Sequence, residues 1–300
     1  MKSSFFLMTK KFLISIIDQL LKRRMMTPKF YHNYNPEDHS VIIDNMKLFL
    51  DKDDSLNLHI GPHEPMEVNW TKNHIKSGDT VLDIGANIGY YTLMLSKAVG
   101  KTGKIYSFEP EPNNFELLKK NVSINKCDNV ILVNSAVGKE DGKLKLYLSD
   151  PKFIGANGMH RIYPSKYSSG ETIEVDIISL DNYLDPNVKK NISFIKIDAE
   201  GSELPIIQGM QTILSNEKLS ILLEFVPACI REKGDDPYLI INILQINGFN
   251  FKKKTRYKIK PIKNILNEVR DLDDCNIFDE LIHTENLFIE KNINYKQMKN

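Results

Sequence analysis

The stretch VLDIGANIGYYT, residues 81–92, constrains this chain more than any other. An apolar run ends on an acid, Asp83, then passes through Gly85, Asn87 and Gly89 into a segment of helical period. That pattern is a buried strand turning sharply into a helix. Glycines at such a turn permit a left-handed backbone and leave space where a Cβ would clash. The helix start then offers unpaired N–H groups and the positive end of its dipole.

The alternation continues along the chain. KIYSFEP reads as strand, EPNNFELLKKNVSIN as helix and VILVNSAVG as strand. Further on, ISFIKIDAEG is strand, ELPIIQGMQTIL helix, LSILLEFVP strand and PYLIINILQING helix. Such alternation predicts an α/β fold: a mostly parallel, doubly wound sheet with helices on both faces. KLKLYLS and TIEVDIISL read as strands around a long loop, 150–171, and long loops are often functional. FNFKKKTRY and ENLFIEK read as antiparallel closing strands. The expected organisation is an N-terminal appendage at 1–74 with an amphipathic helix, one α/β domain at 75–290, and a tail at 291–300.

Composition narrows the function classes. Hydrophobic residues make up 41% of 300, enough for a core and too few for a membrane bundle. Net charge is +1, so no global field points to nucleic acid. Cys127, Cys229 and Cys275 are scattered and odd in number, which suits a reducing cytosol. The N-terminus, MKSSFFLMTKKFLISIIDQLLKRRM, has no small-residue cleavage site and is broken by Lys10, Lys11 and Asp18. Its apolar residues share one helical face, and residues 1–30 carry seven Lys or Arg against one acid. The favoured reading is a helix packed on its own domain or a second subunit; the other is peripheral contact with an anionic membrane through residues 1–25.

In a doubly wound sheet, ligands sit beyond the C-terminal strand ends, at the topological switch point. A dinucleotide would need G-x-G-x-x-G, and here those positions hold Gly85, Asn87 and Tyr90. The GKT at 100–102 lacks its upstream glycine and lies between helix and strand, so it is not a phosphate loop. DIGANIG instead resembles motif I of the Rossmann-like methyltransferases that use S-adenosyl-L-methionine. Asn87 replaces the middle glycine, and Asn tolerates a left-handed turn. Glu109 in FEPEP ends the next strand, about 20 residues on, where this kind of site places an acid for ribose hydroxyls.

The resemblance narrows with SLDNYL, FIKIDAEGSELPIIQG and LLEF, in that order. Together they are similar to the FkbM methyltransferases, in which a strand ends in I-D-x-E-G-x-E and a later apolar strand ends in Glu. The resemblance implies Asp83, Gly85, Asn87, Gly89, Glu109 and Ser135 as cofactor-binding residues. Asp83 would support the glycine loop or the methionyl amine, and Ser135 would lie near the adenine. Acceptor chemistry falls to Asp198, as orienting group or base, with Glu200, Glu224 and His160 in the long loop as further candidates. Lys196 shares a strand face with Asp198. Glu203 has a plain structural role available, as an acid in a first helical turn. Four acids raise the question of Mg²⁺, but hydrogen-bonded carboxylates without metal are the reading adopted. His59 and His63 are four apart, but Gly61 and Pro62 between them spoil a helical metal pair, so no zinc is assigned.

The expected function is methyl transfer from S-adenosyl-L-methionine to a hydroxyl on a sugar, glycan, glycolipid or related metabolite, in the cytoplasm. Two alternatives stand. The run FKKKTRYKIKPIK, 251–263, has seven Lys or Arg and no acid, which motivates an RNA methyltransferase. Against it, residues 264–290 carry eight acids that can pair with that run, and no N/D-P-P-Y/F stands where IDAE does. The other alternative is a binding module of the same fold whose chemistry has lapsed.

Overall fold

The computed structural model describes residues 34–52, 54–59, 63–149, 168–254, 258–267, 269 and 285–291. In chain order, β1 (Tyr34–Asn35), β2 (Ser40–Ile43), β3 (Met46–Phe49) and α1 (Pro65–His74) lead into β4 (Thr80–Ile84) and α2 (Tyr90–Val99). Then come β5 (Lys104–Phe108), α3 (Pro112–Ile124), β6 (Val130–Val133), β7 (Ala136–Gly138), β8 (Gly142–Ser149) and β9 (Ser168–Ser179). After α4 (Leu180–Tyr183) and α5 (Pro186–Asn191) follow β10 (Ile192–Ile197), α6 (Glu203–Gln208), β11 (Ser220–Phe225), α7 (Pro227–Glu232) and α8 (Pro237–Ile246). β12 (Phe249–Lys254), β13 (Ile259–Pro261) and β14 (Glu285–Lys291) close the chain.

Among these residues the main sheet has eight strands in the order β13-β12-β14-β11-β10-β4-β5-β6. β11, β10, β4, β5 and β6 are parallel; β14, β12 and β13 add on antiparallel. This is the α/β architecture expected, closing strands included. The chain winds outward from β4 to β5 and β6 on one side, and to β10 and β11 on the other. The switch point therefore lies at the ends of β4 and β10.

Side-chain period builds the two faces. Val81, Phe194, Leu222 and Phe288 point to one side and pack under α1, α2, α3 and the β1–β3 sheet. Leu82, Ile84, Ile195, Ile197, Ile221 and Leu223 point to the other, under α4 to α8. Asp236 caps α8 by accepting the Tyr238 N–H at 2.9 Å, and Glu111 caps α3 by accepting that of Asn114 at 2.6 Å.

Three elements differ from the sequence reading. VILVNSAVG is two strands: β6 belongs to the main sheet, whereas β7 joins β9 and β8 in a separate three-stranded sheet. The helix expected over ELPIIQGMQTIL stops at Gln208, followed by a 3-10 turn at Ile213–Ser215. Gly209 is the reason, because a Cβ there would lie 2.0 Å from the carbonyl oxygen of Gly138 in β7. The polar lead-in at 34–74 also holds regular structure. Trp70 of α1 packs edge-on against Phe288 at 5.0 Å, and Asn121 of α3 binds the Phe49 backbone with both ends of its amide, at 2.7 and 3.0 Å.

The basic run is partly neutralised from within. Lys252 pairs with Glu290, which also bonds His74 at 2.6 Å, and Lys254 pairs with buried Glu67. Among the described residues no helix is long and apolar enough to cross a membrane. Residues 1–25 and most of the 150–171 loop lie outside the described residues.

Gly209 should be hard to replace. Gly209→Ala forces the end of α6 away from β7, an overpacking cost of about 1–3 kcal/mol. Urea denaturation should show that loss; wild-type stability in the variant would mean the contact with Gly138 is not tight.

Candidate functional site

The site is built where strand ends meet. At the end of β4 the chain turns left-handed at Gly85, φ 74°, and the Gly85 and Ala86 N–H groups both donate to the Phe108 carbonyl at 3.0 Å. A Cβ on Gly85 would lie 1.8 Å from the carbonyl oxygen of Asp198, so only glycine lets the β4 turn touch the end of β10. Asn87 takes the left-handed conformation anticipated for it, φ 49°, and Gly89 caps α2 at φ 97°.

Glu109 fastens this turn to its neighbour. One carboxylate oxygen accepts the Asn87 N–H at 2.8 Å, and the other accepts that of Glu111 at 2.9 Å. Asn134, just past β6, donates to the Glu109 carbonyl at 2.8 Å. Burial raises the Glu109 carboxyl to about 7, although the two N–H donors pull the other way. Asp83 is fully buried and accepts the Thr92 hydroxyl at 2.6 Å, which positions the start of α2. Burial raises its carboxyl too, against the pull of Lys196. Ser135 is buried just beyond β6.

The second half lies beyond β10 and β11. Asp198, Glu200 and Glu224 each offer an oxygen, and these three atoms lie within 4.8 Å of one another. The buried Lys196 ammonium donates to Asp198 Oδ2 at 2.9 Å. Burial pushes the Asp198 carboxyl up, but Lys196 and a hydrogen bond shared with Glu224 overcome this and hold it low. Glu224 is driven well above the carboxylate range, by burial and then by the Asp198 charge. The two carboxyls share a hydrogen bond, with Asp198 pulled down and Glu224 pushed up. Lys196 stays cationic: burial opposes its charge, but Asp198 and Asp83 outweigh that and raise it. Glu200 sits left-handed at φ 51° before Gly201 at φ 93°, an uncommon geometry for a side chain other than Gly, Asn or Asp. Glu203 accepts the Gly201 N–H at 3.0 Å and braces the turn from beneath. Burial raises it to about 7.

So Asp83, Gly85, Asn87, Gly89 and Glu109 lie on or directly behind the turn after β4, which touches the end of β10 where Asp198 stands with Glu200 and Glu224. His160 lies outside the described residues. Sequence reasoning missed a third contributor. Glu64, left-handed at φ 45° before α1, accepts the Tyr91 hydroxyl at 2.8 Å and the Asn286 amide at 2.8 Å. Pro65 after it marks a helix start, but no local signal reveals a contact 222 residues long.

The residues fit S-adenosyl-L-methionine. Asp83 Oδ1 and Asn87 Oδ1 are buried acceptors with no donor among the described residues, and that molecule brings amine and hydroxyl donors. A carboxylate has about four lone-pair sites, so Glu109 retains acceptor capacity for a vicinal diol. The three clustered acids suit a cation by number alone, but the Lys196 ammonium already balances Asp198.

The FkbM methyltransferase domain model matches residues 83–274. The chain is similar to Methyltransferase 1 of Beauveria bassiana, 25% identical over 170 residues, covering 52% of this chain and 66% of that one. It is also similar to hexuronic acid methyltransferase AglP of Haloferax volcanii, 26% identical over 144 residues, covering 48% of this chain and 55% of that one. The chain thus spans less than two thirds of either relative. A solved FkbM methyltransferase from Methylobacillus flagellatus is 18% identical, with a TM-score of 0.40, over 62% of this chain and 42% of that one.

A titration follows from the buried acids. A carboxyl raised from 4.5 to about 7 contributes stability that is complete below 4.5 and lost as pH rises through 7. Glu203 acts in the same sense. Urea midpoints between pH 4.5 and 8 should fall with pH, and Glu109→Gln should flatten the slope while leaving the Glu203 share. An unchanged slope would contradict the burial argument.

Proposed function

Since this chain belongs to the FkbM methyltransferase family, we propose that it transfers a methyl group from S-adenosyl-L-methionine to a hydroxyl on a sugar, glycan or related metabolite. One observation carries the reading. The Gly85 turn rests on the Asp198 carbonyl, so a cofactor-type loop closed by Glu109 meets an acid group that suits an acceptor hydroxyl. The similarity to AglP, a hexuronic acid methyltransferase, supports a sugar acceptor.

Each residue then has a task. Glu109 would hold the ribose hydroxyls, and Asp83 and Asn87 the donors of the methionyl end. When bound, the cofactor supplies a methyl already activated by positive sulfur. The protein's work is alignment and exclusion of water, and alignment alone is worth about 7–11 kcal/mol of barrier. Asp198 is ionised at neutral pH and would accept a hydrogen bond from the acceptor hydroxyl, fixing its oxygen. Lys196 keeps that carboxylate charged, and the hydrogen bond shared with Glu224 limits its rotation. Glu200 lines the same mouth. The domain division at 75–290 and the roles of Glu224 and Ser135 belong to this proposal.

Labelled methyl from S-adenosyl-L-methionine, offered with fractionated host extract, should enter a glycan, glycolipid or small-molecule fraction. Asp198→Asn should cut incorporation on the order of a hundredfold, as loss of alignment does. Label removed by nuclease would favour the RNA alternative, and equal incorporation by the variant would remove Asp198 from the chemistry.

A further inference from the structure

We propose that His63 takes the proton from the acceptor hydroxyl and that Glu64 positions it; this rests on the methyl-transfer reading above. The reaction needs such a group. The acceptor oxygen forms a bond to the methyl carbon, the S–CH3 bond breaks with its electron pair left on sulfur, and the hydroxyl proton must go to a base.

The groups around the cleft are mostly unsuited to that task. Asp198 is a carboxylate, but Lys196 and Glu224 both hydrogen-bond it and hold its basicity low. Glu224 shares a hydrogen bond with Asp198, and burial and the Asp198 charge push its carboxyl up. Glu203 is buried beneath the turn with one oxygen on the Gly201 N–H. Lys196 is cationic, and the Tyr91 hydroxyl donates to Glu64.

His63 differs in each respect. Its side chain is one-third exposed (33%), so solvent can carry a proton away. Its Nε2 lies 3.8 Å from Glu64 Oε2, which leaves Nδ1 as the nitrogen turned from that carboxylate. The ring packs edge-on to Tyr90 at 5.8 Å, and the Tyr90 hydroxyl donates to the His63 carbonyl at 2.9 Å. Two contacts from Tyr90 of α2 therefore hold the residue in place. Glu64 is held in turn by Tyr91 of α2 and Asn286 of β14. A fixed carboxylate beside an imidazole stabilises the imidazolium formed when the proton arrives, and orients the ring.

A chain of contacts joins His63 to the cleft. Lys196 lies 4.8 Å from the Tyr91 ring, and the His63 charge is among those that lower Asp198. The path from His63 through Glu64 and Tyr91 thus ends at the Lys196–Asp198 pair. Glu64 on its own segment and Tyr90 of α2 contact His63, and its charge acts on Asp198 of β10. Both proposed residues precede the matched domain at 83–274. The lead-in segment, on this account, completes the site.

The test uses the full chain, S-adenosylhomocysteine titration, and the host-extract fraction that takes label from wild-type protein. His63→Ala should lower kcat about 10²–10⁴-fold, the usual share of a general base. KM for the fraction and S-adenosylhomocysteine affinity should stay within about twofold. Added imidazole should restore part of the lost rate. Glu64→Gln should lower kcat less than His63→Ala does, since the imidazole remains and only its positioning partner is lost. His63→Gln, checked for wild-type melting, serves if the Ala variant misfolds. Wild-type kcat in the His63 variants, or rate and affinity lost together without imidazole rescue, would overturn the role of His63 and leave methyl transfer standing. A wild-type chain that binds S-adenosylhomocysteine but labels no fraction, or does not bind it, would overturn the functional reading and this inference with it.

Discussion

A single buried carboxylate holds the cofactor side together. Glu109 bonds the backbone of Asn87 after β4 and of Glu111 after β5, so two loops from neighbouring strands move as one. Without that bridge the left-handed Asn87 would have no reason to keep its conformation. The bridge is costly, because burial disfavours the charge and two amide donors do not fully compensate. The carboxyl therefore sits near 7, sensitive to any further donor. A diol placing two hydroxyls against it would supply what the protein leaves out.

The acceptor side solves the opposite problem. Asp198, Glu200 and Glu224 crowd their oxygens within 4.8 Å, and three full negative charges there would repel strongly. Lys196 from the same strand face neutralises one, and the Glu224 carboxyl is pushed up. The remaining strain sits in the backbone, where Glu200 adopts a left-handed conformation before Gly201. The two sides meet through one atomic contact, Gly85 on the Asp198 carbonyl. Adjacent parallel strands, β4 and β10, make that meeting inevitable once the sheet winds outward from β4.

Much of this was legible in the sequence, because the relevant signals are local. A strand running into Asp83-x-Gly85-x-Asn87-x-Gly89 carries its turn chemistry in adjacent residues, and Glu109 and Asp198 both stand at the ends of apolar runs. The alternation of strands and helices set the parallel sheet. What stayed hidden depends on distant chain. The β6–β7 break falls at Asn134-Ser135, where Asn134 turns to donate to the Glu109 carbonyl of the neighbouring loop. Glu64 and His63 fell in the N-terminal appendage, because their partners, Tyr91 and Asn286 for Glu64 and Tyr90 for His63, lie in other elements. The basic run drew attention to nucleic acid, yet Lys252 and Lys254 find Glu290 and Glu67 across the fold.

The most direct measurement is calorimetric titration of the full chain with S-adenosylhomocysteine at pH 8 and pH 5.5, in wild type and in Glu109→Ala. Hydroxyl donors favour the ionised carboxylate, and its free-state value is about 7, so binding should weaken as pH falls between these points. In Glu109→Ala, binding should be weaker at pH 8 by a factor on the order of tenfold to a hundredfold, in line with losing one charge-assisted pair, and its pH dependence should shrink. Equal affinity in both proteins, or binding that strengthens as the carboxyl protonates, would contradict the claim that Glu109 is the cofactor's anchor.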